Sequence, residues 1–348
     1  MLADELDYVI GVDTHLDEHV LAVVALPSGA VVAKRSVRAS GRGYASALAF
    51  ALEAGSGARV WAIEGTGSYG AGLARYLVGR GETVLETGRV PQTERRLRGK
   101  DDALDAVRTA RAALAGDTLA LPRVGERREA LRLLLVARRS AVDVRREALG
   151  QLRAVIVTAP DGLREQLRTL PVGKLLERCS RLRRSSAMST DEVATRLVLR
   201  SLARRIEAAT VEAAELEREL LGHVHALAPR PLDEPGIGPI VAAQLLVAWS
   251  HRGRLRSEAC FARLAGVAPV PASSKTTRHR LSRGRDRQLN RALHTTVLHR
   301  RQHDRATRDY IERRIVEGKT RRDATRLLKR HLARHLYRLL QQTEPLMT

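Results

Sequence analysis

The chain has 348 residues, with 61 Lys and Arg against 39 Asp and Glu, a formal charge of +22 and a pI near 11.2. At 44% hydrophobic residues it is too apolar for a disordered basic tail, and it lacks the ~18-residue apolar run of a membrane-crossing helix. The charge calls for a polyanion, nucleic acid first and an anionic membrane surface second. Six bases are Lys and the other 55 are Arg. A GC-rich genome explains Arg over Lys but not basic over acidic; Arg also forks onto phosphates, which suits nucleic acid. Aromatics at 3% disfavour a base-stacking platform. Cys179 and Cys260 cannot build a disulfide framework or a four-thiolate zinc site. The acidic opening MLADELDYVIGVD has no signal-peptide layout, so a reducing cytoplasm is expected.

In chain order, Tyr8–Asp13, His19–Leu26 and Ala30–Val37 read as three strands joined by tight turns. Gly43–Ala54 reads as a helix, Val60–Glu64 as a strand, Tyr69–Arg80 as a helix and Thr83–Glu86 as a strand. Three meandering strands followed by helix, strand, helix, strand is the order of a ribonuclease-H-like fold. Arg127–Ile156 is a basic helical stretch, and residues 157–190 are more broken. Leu199, Leu202, Ile206, Ala209, Ala213, Leu216, Leu220, Val224 and Leu227 recur at spacings of three and four, a seam of about four heptads. It fits either one arm of an antiparallel helical hairpin or pairing between chains. From Pro229 onward a third, very basic helical unit follows, with helices near 303–317 and 321–342. The expected class is α/β plus all-α, divided as 1–118, 119–230 and 231–348.

Asp13 ends the first strand in VIGVDTH, and Glu64 ends the fourth in WAIEGTGSYG. In the expected fold those strands are neighbours. Asp102 and Asp105, in GKDDALDAVRTA, are three apart at a helix start and share one face. Singly, each has a plain reading as a turn residue or a helix-start acid. Together, four carboxylates at one sheet edge call for hard divalent cations such as Mg²⁺, which can support phosphodiester displacement. Further on, LDEPGIGPIVAAQLLVAW places Gly236 and Gly238 in a turn before a helix. This is either a plain helix–helix turn or a helix-hairpin-helix element that holds DNA phosphate on its amides. Ser273 and Ser274 then precede a dense basic run with Lys275, Arg278, Arg280, Arg283, Arg285 and Arg287, suited to phosphate. From the residues alone, both serines read as loop polars. The histidines lack metal-ligand spacing with cysteines, and no Walker string supports an ATP-driven process.

These strings carry a resemblance. GVD, IEGTGSY and KDDALDA resemble the successive motifs of the DEDD transposases, the insertion-sequence one-ten family with its pilin-gene invertase relatives; Asp101 stands where that family has Thr. PGIG, AGVAP, a serine-bearing loop and RGRDRQLNRAL resemble the family's C-terminal transposase domain, although Lys275 directly follows the serine pair where Gly is usual. The resemblance implies a RuvC-like domain, a coiled-coil linker and a serine-bearing domain. It implies Asp13, Glu64, Asp102 and Asp105 as Mg²⁺ ligands and Ser274, or else Ser273, as nucleophile. It further implies a structured guide RNA, double-stranded DNA as substrate, a dimer or tetramer, and a place at the nucleoid. Two other readings stay open on the residues: a hydrolytic junction nuclease using the carboxylates alone, and a non-enzymatic architectural protein.

Overall fold

The computed structural model describes residues 6–87, 102–115, 120–271, 279–280 and 286–342, which form two compact units. Residues up to Gly125, joined by Ser250–Ser257, make the first; Glu126–Trp249 and the chain from Glu258 make the second.

The first unit is a five-stranded mixed sheet in the order β3-β2-β1-β4-β5. Its strands are β1 (Tyr8–Thr14), β2 (Glu18–Ala25), β3 (Val31–Arg38), β4 (Arg59–Glu64) and β5 (Val84–Thr87). The first three form an antiparallel meander, while β4 runs parallel to both β1 and β5. Among the described residues, three helices flank the sheet: α1 (Gly41–Ala54), α2 (Ala71–Val78) and α3 (Asp102–Ala115). Strand alternation sends residues to two cores. Ile10, Val12, Leu21, Val23, Trp61 and Ile63 pack with Ala47, Phe50, Leu73 and Leu77 of α1 and α2. Val9, Val24, Val60, Ala62 and Leu85 pack with Ala110 and Ala113 of α3. Ser40 caps α1 by accepting from the Gly43 amide at 3.3 Å. At the start of β4, Arg59 and Trp61 both donate to the Glu82 carboxylate, the indole at 2.8 Å. Burial works to raise the Glu82 pKa, but those hydrogen bonds win and hold it below its ordinary 4.5. The predicted elements are thus present in the predicted order, with no end shifted by more than two residues.

The described residues of the second unit are helical apart from one short ribbon. Its long helices α4 (Glu126–Val157) and α7 (Thr190–Leu227) lie against each other. Arg138 meets Glu217 at 3.1 Å, and Leu152 and Ile156 share a core with Leu199, Leu202 and Ile206. Those pairings run in opposite directions, so the two helices form an antiparallel hairpin. Two short helices the sequence left as a broken stretch, α5 (Asp161–Leu167) and α6 (Val172–Ser180), close its far end through Leu163, Leu167, Leu175 and Cys179. Burial raises the Cys179 thiol to about 11, as expected of a core residue. The heptad seam is buried at Leu199, Leu202, Ile206, Ala209, Ala213, Leu220 and Val224. Of the two partners its spacing allowed, the chain's own α4 is the one that covers it; the seam is not left for a second chain.

The rest of this unit comprises α8 (Pro239–Trp249), α9 (Glu258–Leu264), α10 (Arg287–His303), α11 (Arg305–Val316) and α12 (Arg321–Gln341). Helix α8 is apolar all round and is packed by α4, α7 and α10. Asp286, Asp304 and Thr320 cap the three basic helices that follow. A two-residue ribbon, β6 (Val270–Pro271) with β7 (His279–Arg280), was not expected from the sequence. No described helix is long and apolar enough to cross a membrane.

Candidate active site

Asp13 and Glu64 reach one edge of the sheet by register. In the parallel pair, Gly11 lies opposite Ala62 and Val12 opposite Ile63, so the next step brings Asp13 and Glu64 to adjacent strand ends. Both continue the face that carries Val9, Gly11, Val60 and Ala62, which is the α3 face. Thr14 ties the two ends together, its hydroxyl donating to the Glu64 carbonyl at 2.9 Å. Gly65 follows with φ 71°, a left-handed turn that lets the chain leave the sheet at once.

Gly11 explains how α3 sits so close. A Cβ built there would fall on the Ala106 carbonyl oxygen and lie 2.7 Å from the Ala110 nitrogen. The helix backbone therefore rests directly on β1. Ala106 and Val107 pack with Ala22 and Val20 of β2, and Val20 is the register partner of Asp13. The first turn of α3 thus lies over the edge that holds Asp13. Asp105 is buried there, and Asp102 opens the helix, its side chain outside the described set.

Two basic side chains already face these acids. His15 Nε2 lies 3.2 Å from an Asp13 oxygen, and Arg108 donates to Asp105 at 2.7 Å. Neither partner was legible beyond its proximity in the chain. The donors are all oxygen, which suits a hard divalent cation. Among the described residues, however, no three carboxylate, imidazole or thiolate side chains are gathered into a metal-holding group. The structure therefore brings Asp13, Glu64 and Asp105 to one end and one face, without drawing them into a closed cage. His19, one strand over, turns to the opposite face and stacks on Tyr44 with ring centroids 5.9 Å apart. Burial lowers its pKa, as expected of a core histidine.

In the second unit the glycine turn forms as expected. Gly236 has φ 77°, and Ile237 donates to the Glu234 carbonyl at 3.1 Å. A Cβ at Gly236 would press on the His299 ring of α10. Arg300 and His335 both hold the Glu234 carboxylate, at 2.7 and 2.6 Å, and Arg300 also donates to the Pro235 carbonyl. Burial works to raise the Glu234 pKa, but these bonds hold it below its usual value. This latch fixes the turn that precedes α8, with Gly238 at its end. Arg287 is exposed at the start of α10. Arg280 lies in β7, with only its backbone described. Ser273, Ser274, Lys275, Arg278, Arg283, Arg285 and Asp101 lie outside the described residues.

Two family models match this chain. A DEDD transposase model of the IS110 type, described as Transposase, matches residues 10–159. The model of the Transposase IS116/IS110/IS902 family matches residues 232–312. The chain is 33% identical over 149 residues to the insertion element IS110 uncharacterized 43.6 kDa protein of Streptomyces coelicolor, covering 42% of this chain and 37% of that protein. It is 35% identical over 133 residues to the insertion element IS900 uncharacterized 42 kDa protein of Mycobacterium paratuberculosis, covering 37% of this chain and 32% of that one. The matched stretch spans about a third of the length of these curated relatives. The two family models fall, in order, on the unit with the strand-end acids and on the segment with the latched glycine turn, and the chain belongs to the DEDD transposase family of IS110-type insertion elements.

Proposed function

We propose that the chain is the transposase of an insertion sequence, cutting and rejoining double-stranded DNA. The observation that carries this reading is the convergence of Asp13 and Glu64, at adjacent parallel strand ends, beneath the helix that begins at Asp102 and bears Asp105. These four carboxylates would hold Mg²⁺, which when bound supplies charge neutralisation at the phosphate. His15 and Arg108 keep Asp13 and Asp105 paired before a cation arrives. Ser274, with Ser273 as the alternative, is the proposed nucleophile. Its hydroxyl gives up a proton and forms a P–O bond as the bond to the departing sugar oxygen breaks. That oxygen takes up a proton, so the phosphodiester energy stays in a protein–DNA link ready for reversal.

The latched turn at Gly236 and Gly238 is proposed to seat a DNA phosphate as a helix-hairpin-helix, with Lys275, Arg278, Arg280, Arg283, Arg285 and Arg287 gripping backbone nearby. The ribonuclease-H-like assignment of the first unit, a structured guide RNA as second nucleic acid, and a dimer or tetramer at the nucleoid belong to the same reading. The arginine surplus supports the RNA and DNA contacts. Assembly rests on the family resemblance and not on the heptad seam. The deciding experiment incubates the full chain with element-end DNA, guide RNA and Mg²⁺, then looks for protein joined covalently to DNA. An adduct lost in Ser274→Ala, with nucleic-acid binding retained, is expected. Adducts surviving both Ser274→Ala and Ser273→Ala would refute the serine assignment, and metal-dependent nicking without any adduct would instead favour a hydrolytic nuclease.

A further inference from the structure

The second unit buries a lysine that no carboxylate neutralises among the described residues. Lys329 lies on α12 with 8% of its surface exposed. Its Nζ donates to Asn290 Oδ1 of α10 at 3.1 Å. The charged or titratable groups felt nearby are Arg326 on its own helix and His294 on α10, with Arg301 beyond His294. The closest acid along α12, Asp323, is engaged by Thr320 and Arg326. Burying an ammonium against one neutral acceptor, with further cations around it, is costly. An apolar side chain of the same length would fill that space without the cost, so packing does not account for the lysine.

The hydrogen bonds lead toward a function. Asn290 passes the contact on: its Nδ2 donates to the Ala265 carbonyl at 2.6 Å. Alongside, the Asp286 amide donates to the Leu264 carbonyl at 3.0 Å. Leu264 and Ala265 close α9, while Asp286 and Asn290 open α10. They are therefore the two stems of the stretch that contains Ser273 and Ser274. An Asn amide has no orientation of its own; its neighbours decide which end is oxygen. A donor at Lys329 turns the oxygen toward α12 and leaves the nitrogen for Ala265. The ammonium also polarises the amide, strengthening the second bond.

We propose that Lys329, acting through Asn290, is a positioning residue for strand transfer, clamping the two stems of the serine-bearing stretch in fixed register. The catalytic half of this inference rests on the serine reading above; the clamp itself does not. Three full-length variants test it: Lys329→Met removes the donor, Lys329→Gln restores a neutral one, and Asn290→Asp keeps a partner for Lys329 but has no donor for Ala265. Hydrogen exchange reads the clamp, adduct formation on DNA with Mg²⁺ reads the chemistry, and equilibrium binding reads DNA affinity. In Lys329→Met, the Asp286 amide should exchange about tenfold faster, with the melting temperature unchanged or raised. Asn290→Asp should match it at that amide, and Lys329→Gln should recover protection. The adduct rate should fall at least ~10-fold, with DNA affinity unchanged. Unchanged exchange in both Lys329→Met and Asn290→Asp overturns the clamp, as does a loss that appears wholly in DNA affinity. A wild-type chain that forms no adduct refutes the serine reading instead, and the exchange result then decides the clamp alone.

Discussion

Replacing Gly11 with alanine tests the geometry of the acidic edge without touching an acid. The added Cβ would lie 2.7 Å from the Ala110 nitrogen and against the Ala106 carbonyl oxygen. Carbon prefers about 3.5–4 Å to such atoms, so α3 must retreat by roughly an ångström. Neither obstacle can rotate away, because both are helix backbone. Overpacking of this kind costs about 1–3 kcal/mol, which lowers the melting temperature of a unit this size by several degrees. The same retreat carries Asp102 and Asp105 away from Asp13 and Glu64. A misplacement on that scale costs on the order of 10²-fold in rate. The assay is Mg²⁺-dependent cleavage of end DNA, run beside thermal unfolding and DNA binding. The expected result is a large loss of cleavage, a modest loss of stability and unchanged binding. Wild-type cleavage by Gly11→Ala would show that α3 does not set the position of the acids.

Other expectations follow from single contacts. Asp105→Asn leaves Arg108 a hydrogen-bond acceptor but removes a charge, so cleavage should fall by at least ~10²-fold while unfolding changes little; retained cleavage would remove Asp105 from the proposed site. Glu82→Gln should destabilise the first unit by about 1–3 kcal/mol at neutral pH. Because the folded Glu82 pKa lies below 4.5, its contribution is full above that pH and fades as pH falls through the folded value. Stability curves of wild type and Glu82→Gln should therefore converge in acid; a constant gap would contradict the charge argument. Leu199→Ala, in the core shared by α4 to α7, should cost about 2–5 kcal/mol by denaturant unfolding. A near-neutral effect would mean that α4 does not fill the seam as described.

The strands were legible because alternation and turn residues act locally, and Asp13 and Glu64 were legible because they close apolar runs. Their common face follows from the period of two once β1 and β4 are neighbours. Gly11 was not legible: in VIGVD it reads as one more strand residue, and its purpose appears only when Ala106 lies on it. The heptad spacing of α7 told that a face is apolar but not what covers it, since pattern carries no identity of the partner. Lys329 is equally silent in its string, because its partner Asn290 is 39 positions away. The ribbon of β6 and β7 is too short for any periodicity to register.

The first unit is discontinuous in the chain. Arg254 carries a nearly buried guanidinium, donates to the Leu121 carbonyl at 3.2 Å and faces Glu86 at 3.6 Å. Arg123 meets the other Glu86 oxygen, and Ser250 accepts from the Val124 amide. Glu86 therefore leaves the ribosome long before the residue that completes its surroundings. At roughly 5–20 residues per second, that interval is on the order of ten seconds. During it, the newborn sheet holds a half-compensated carboxylate at its edge, and the unit matures only when translation has passed Ser257. A ribosome stalled between those points would hold a sheet whose Glu86 still lacks Arg254, so the order of synthesis itself delays the completion of the unit that carries the strand-end acids.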